Sequence, residues 1–147
     1  MCLILDVNIL HEVFPSPSAD HVAVNKALTN LRATMVYGGE LRREYQRAGW
    51  FRPFLRRLDQ QGSAKVVPDQ EVDAQTEEIR LAGGYRSDDP HILALAIVAK
   101  VRLLCTDDDN LSTDFKDRQL INNPRGNVYR RASHEHLLRK HCPMSRR

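Results

Sequence analysis

The 147-residue chain is poor in aromatic residues (6%), holds three cysteines and has no long apolar run. Its longest uninterrupted apolar stretch, Ile92 to Ala99, falls far short of the ~20 residues that span a bilayer, which excludes a membrane helix from this sequence. The opening Met1-Cys-Leu-Ile-Leu-Asp6 lacks a basic region and meets an acid after four apolar residues, so it does not read as a secretory signal. Cys2, Cys105 and Cys142 are widely spaced, and no pair has the short separation of a structural zinc or redox motif. A reduced, cytoplasmic chain is the simplest expectation, with Cys2 and Cys105 as small core residues inside apolar runs. An excess of one charge is missing too. Twenty-two Lys+Arg against nineteen Asp+Glu leave +3, which permits an anionic partner and demands none.

What is present is ordinary for a globular protein: 41% apolar and 28% charged residues, which rules out collagen, coiled coil and wholesale disorder. A chain of this length is about one domain and buries about 68–70% of its unfolded surface, enough for a core without staples. With no repeat, low-complexity tract or linker, the expected organisation is a single domain over residues 1–141 and a loose basic tail over 142–147.

Cys2–Leu5 is short and continuously apolar, the pattern of a strand covered on both faces of a parallel sheet. The pattern predicts a short helix at Asn8–Phe14, a helix from an Asp20 cap to about Arg32, and a strand at Thr34–Tyr37 ended by Gly38-Gly39. Helices are expected over Glu40–Ala48 and Arg52–Gln61, a strand over Lys65–Val67, and a helix over Gln70–Ala82. Asp89-Pro90 has the form of an N-cap followed by proline at the first helical position, opening a helix to about Lys100. Strands follow at Val101–Cys105 and Gly126–Tyr129, then a terminal helix at Ser133–Lys140. This alternation predicts an α/β fold, a three-layer α/β/α sandwich around a mainly parallel sheet of about five strands.

In an open parallel sheet, ligands bind beyond the carboxyl ends of the strands. Asp6 and Asn8 follow the first strand; Thr106, Asp107, Asp108 and Asp109 follow the fourth; Glu40 and Glu44 share a helix face after the second; Asp88 and Asp89 open the Pro90 helix. Four segments thus deliver acids towards one sheet edge, with no comparable set of histidines or cysteines. Packed carboxylates raise one another's pKa unless something positive joins them. An oxygen-only set suits a hard cation such as Mg²⁺ or Mn²⁺, and one or two such ions can promote phosphodiester hydrolysis. Each acid also has a bland reading: Asp89 as a plain helix cap, Glu40 and Glu44 as solvated positions, Asp107–Asp109 as a polar turn. Asp6 is harder to dismiss, because an acid ending a fully apolar strand is costly unless exposed or paired.

These residues resemble those of the PIN domain, a family of metal-dependent nucleases that includes VapC-type toxins of toxin–antitoxin pairs. The likeness runs from Asp6-Val-Asn8 to at least Asn110, and its most specific part is Asp88-Asp-Pro-His-Ile-Leu-Ala-Leu-Ala96 followed by Leu103-Leu-Cys-Thr-Asp-Asp108. It implies that Asp6, Glu44, Asp89 and Asp108 hold one or two Mg²⁺ or Mn²⁺ ions and carry catalysis, with Asn8 and Thr106 in support. Asp88 and Asp107 are neighbours able to exchange roles, and Glu40 is the alternative to Glu44, which fits better one helical turn in and followed by Tyr45. The implied activity is endoribonuclease cleavage of single-stranded or looped RNA in the cytoplasm, with an antitoxin and a second copy of the chain as candidate partners. Phosphotransfer receivers and haloacid-dehalogenase-like phosphatases fit poorly: Asn8 stands where such a phosphatase wants its second aspartate.

Arg42, Arg43, Arg47, Arg52, Arg56 and Arg57 form one arginine-rich block interleaved with Tyr45, Trp50, Phe51 and Phe54. Arginine binds phosphates and aromatics stack on bases, so Arg42, Arg43 and Arg47, nearest Glu44, are the candidate nucleic-acid contacts. A solvated arginine face and a core or interface role for the aromatics weigh equally. His91 lies beside Asp89, within reach of a substrate or partner, but a plain helix-surface histidine is the simpler reading. The second class of function is a catalytically inactive binding or protein-interaction module that keeps the fold and the basic rim.

Overall fold

A computed structural model describes residues 1–139; residues 140–147, and with them the expected basic tail over 142–147, lie outside the described residues. Five strands, β1 (Cys2–Leu5), β2 (Thr34–Gly38), β3 (Ala64–Val67), β4 (Leu103–Cys105) and β5 (Asn127–Tyr129), form one sheet in the order β3-β2-β1-β4-β5. Every pairing is parallel. The central position of β1 explains its composition: all four residues are buried, as a strand covered on both faces requires. β3 lies at an edge and leaves Val66 half exposed.

Between the strands run α1 (Leu10–Val13), α2 (Val22–Thr29), α3 (Glu40–Arg47), α4 (Arg52–Gln61), α5 (Asp69–Ala82), α6 (Pro90–Ala99) and α7 (Asp109–Lys116), with 3-10 turns at Val7–Ile9, Gly49–Phe51 and Ala132–Arg139. The chain steps outward from β1 through β2 to β3, then crosses back to β4 and β5. Right-handed crossovers put the helices of these two journeys on opposite faces, which makes the three-layer sandwich. α5 packs along α6, and α3 touches both. Helix α6 is apolar almost throughout and buried at eight of its ten positions, as expected of a helix with no polar face.

Local chemistry explains the turn that feeds α3. Gly39 has φ +59°, and a Cβ placed there would lie 2.6 Å from Val72 Cγ1, so only glycine fits. Its N–H donates to Asp69 Oδ1 at 2.9 Å, anchoring the start of α3 to the start of α5. Phe51 is fully buried against Phe14 and Tyr45, with ring centroids 5.5 and 5.2 Å away, while Trp50 stays half exposed. For Phe51, the core role holds.

The structure departs from expectation in three places. Asp20 does not cap α2; the helix begins after His21, and the Asp20 carboxylate accepts the Ala132 N–H at 3.1 Å instead. Helix α7 arises where a polar turn was expected, because Asp108 caps it. The expected terminal helix is present over Ala132–Arg139 and is of the 3-10 type, with eclipsed i,i+3 spacing. Cys2 is disulfide-bonded, which corrects the expectation of reduced thiols throughout; Cys105 is a free thiol, and both are buried as small core residues.

Candidate metal centre

The register of the central strands builds the site. Leu5 of β1 pairs with Cys105 of β4, so the next residues of each, Asp6 and Thr106, leave the sheet side by side. The Thr106 hydroxyl donates to Asp6 Oδ2 at 2.8 Å and accepts the Asp108 N–H at 3.1 Å. Asp6 is 4% exposed. Burial pushes its carboxyl up to about 6, and Asp89 and Glu44 push the same way against the Thr106 hydroxyl and the Asn8 N–H. Asn8 thus acts through its backbone, while its side chain faces solvent.

Glu44 comes from α3. The hydroxyl of its buried neighbour Tyr45 donates to the Leu5 carbonyl, tying the helix to the residue before Asp6. Asp89 occupies the N-cap position of α6, yet its side chain makes no capping bond, so the plain-cap reading does not account for it. Burial raises its pKa, and Glu44, Asp108 and Asp88 add to the rise against the pull of His91. Asp108 caps α7, its Oδ1 accepting the Leu111 N–H at 3.0 Å. Asp88 and Asp107 are exposed; the Asp107 carbonyl accepts from Arg130.

Glu40 and Glu44 separate cleanly. Glu40 pairs with Arg47 at 2.6 Å and Arg43 at 3.4 Å, and Arg47 above all holds its carboxyl below the ordinary range. Glu44 instead meets His91, with Nε2 to Oε1 at 2.9 Å. One ligand atom each from Glu44, Asp89 and His91 lie within 4.8 Å of one another. No lysine or arginine pairs with Asp6, Glu44, Asp89 or Asp108 among the described residues. This donor set suits a divalent cation: hard oxygen donors and one nitrogen, their mutual repulsion unrelieved by protein cations.

The three arginines expected to meet nucleic acid are all engaged. Arg42 pairs with Asp69, with Nε 3.0 Å from each carboxylate oxygen, Arg43 with Asp73 at 2.6 Å, and Arg47 with Glu40. The Arg42 and Arg43 pairs stitch α3 to α5, while the Arg47–Glu40 pair lies within α3.

Two residues escaped sequence reasoning. His91 is no surface histidine: its side chain is 7% exposed. The signal was available, since a helix apolar all round leaves no wet face for a histidine in its first turn. Asp114, also buried, accepts the N–H groups of Arg86 (2.9 Å) and Ser87 (2.8 Å), fixing the loop that delivers Asp88 and Asp89. Nothing local in the sequence marks that contact, which spans 27 residues.

Fold and site together define a class: a parallel α/β domain whose acids converge beyond the carboxyl edge of the sheet at its central strand. The family model of the PIN domain matches residues 3–116, and the chain belongs to the PIN domain family. PIN domains are generally nucleases that use divalent metals. No curated protein and no solved structure matches the chain.

Proposed function

We propose that this protein is an Mg²⁺- or Mn²⁺-dependent endoribonuclease, carried by a single domain, that hydrolyses phosphodiester bonds of single-stranded or looped RNA. The observation that carries the reading is the close group of Glu44, Asp89 and His91, whose acids also repel the carboxylates of Asp6 and Asp108, with no lysine or arginine paired to any of the four acids among the described residues. A binding module gains nothing from repelling carboxylates next to phosphates. A bound divalent ion supplies Lewis acidity and an activated water at neutral pH.

The side chains divide the work. Asp6, Glu44, Asp89 and Asp108 hold the cation. The Thr106 hydroxyl and the Asn8 N–H hold the Asp6 carboxylate in place. Asp108 commits one oxygen to its helix cap and keeps the second. Glu44 is chosen over Glu40, whose oxygens both carry arginine contacts. Arg42, Arg43 and Arg47 line the approach; because each already faces an acid, phosphate contact there exchanges one anion for another. A toxin role with an antitoxin partner, self-association and a cytoplasmic location belong to the same proposal.

The test is incubation of the purified chain with an RNA pool, with and without Mn²⁺, followed by mapping of the cut ends. Defined Mn²⁺-dependent ends, lost in a folded Asp6→Asn variant, are expected. RNA held equally well in EDTA and never shortened would overturn the enzyme in favour of a binding module.

A further inference from the structure

We propose that His91 is a direct ligand of the bound cation, giving the site a nitrogen donor that favours first-row transition ions over Mg²⁺. The inference rests on the reading of the acid cluster as a cation site and goes beyond it in naming a ligand outside the four acids.

Burial comes first. A histidine in the first turn of a helix apolar on every side has no solvent to turn to, and burying a polar group without a partner is costly. Its Nε2 meets Glu44 Oε1 at 2.9 Å, with an Asp89 oxygen inside the same 4.8 Å cluster. Two elements supply the three groups: Asp89 and His91 sit at the mouth of α6, two residues apart, and Glu44 faces them from α3.

The spacing matches coordination. Ligand–metal distances of about 2.0–2.1 Å put neighbouring ligand atoms of an octahedron about 3 Å apart. The His91–Glu44 separation of 2.9 Å is already such an edge. A carboxylate only accepts hydrogen bonds, so in the metal-free chain the proton on Nε2 bridges the pair and occupies the place a cation takes. A metal-bound imidazole nitrogen carries no proton, so on ligation the cation takes the place of that hydrogen. Imidazole suits transition ions, whereas Mg²⁺ prefers oxygen and keeps several waters. A site with His91 in it therefore discriminates where an all-carboxylate site does so less.

The experiment uses the full metal-free chain, titrated calorimetrically with Mn²⁺ and with Mg²⁺, and pulsed EPR of the Mn²⁺-loaded protein, which detects a directly bound ¹⁴N. The His91→Gln variant, whose amide still donates to Glu44, goes through the same measurements after its thermal unfolding is checked. Expected are a ¹⁴N coupling in the unmodified protein, its loss in the variant, and a roughly tenfold fall in the preference for Mn²⁺ over Mg²⁺, in the range seen when the groups around a metal are altered. Bound Mn²⁺ without ¹⁴N coupling in the unmodified protein, or an unchanged Mn²⁺/Mg²⁺ ratio in the variant, would show that His91 only positions Glu44. In that case Mn²⁺ affinity would still fall on Asp89→Asn, and the cation site would stand. No Mn²⁺ binding by the unmodified protein would overturn both readings.

Discussion

Replacing Asp6 with asparagine should make the metal-free protein more stable, although the same change is expected to end cleavage. Burial beside Asp89 and Glu44 lifts the Asp6 carboxyl from 3.8 to about 6. The folded chain therefore keeps this proton at pH values where the unfolded chain has released it. Stability falls as pH rises from about 4 to 6, and above that the full penalty applies, about 3 kcal/mol at 1.36 kcal/mol per pH unit. A carboxamide carries no charge to desolvate. Its oxygen can still accept the Thr106 hydroxyl, and its NH2 can donate to Glu44 or Asp89. Part of the gain is lost to imperfect geometry, leaving about 1–3 kcal/mol at pH 8, or roughly 3–10 °C in Tm for a domain of this size. At pH 4 the gain should nearly vanish, because the unmodified carboxyl is then neutral in the fold. The assay is thermal or urea unfolding of both proteins in EDTA at pH 4 and pH 8. Mn²⁺ at 1,000 times its Kd should reverse the ranking at pH 8, since it adds about 4.1 kcal/mol to the protein that binds it. A variant no more stable than its parent at pH 8, or equally ahead at both pH values, would refute the electrostatic account of the cluster.

Two further outcomes test the scaffold that presents the site. Asp114→Ala strands the buried Ser87 N–H and the half-buried Arg86 N–H and should cost about 1–3 kcal/mol in urea unfolding; Asp114→Asn, which keeps an acceptor, should cost less, and equal losses would show that the hydrogen bonds are not the reason. Gly39→Ala forces a side chain into a left-handed conformation and against Val72. It should lower stability by at least about 2 kcal/mol, and an unchanged urea midpoint would remove the argument that this turn sets the entry of α3.

Much of the architecture was legible in local pattern. The continuous apolar run of Cys2–Leu5 belongs to a central parallel strand, and the unbroken apolar stretch after Pro90 to a buried helix. Placement beyond strand ends brought Asp6 and Asp108 to one edge, because a parallel sheet presents all its carboxyl ends together. Capping was less legible. Asp20 and Asp89 both precede helices, yet neither caps with its side chain, while Asp108 does. An aspartate's use depends on which N–H groups the tertiary fold brings within reach, and that is not a local quantity. The arginine block shows the same limit. Its six members read as one basic face, but Asp69 and Asp73 from α5 neutralise Arg42 and Arg43.

Taken alone, the sequence determined the class of fold, the segments that carry acids, and the residues able to bind a hard cation, since these follow from periodicity and from chemistry carried within each segment. Only the tertiary structure shows what each acid touches. Glu40 and Glu44 lie on one helix face four residues apart, and nothing in the spacing separates them. Packing of α3 between the sheet edge and α6 turns Glu44 to Asp89 and His91, and leaves Glu40 to the arginines. The choice depends on contacts 45 and 47 residues away in the chain, which a one-dimensional pattern does not encode.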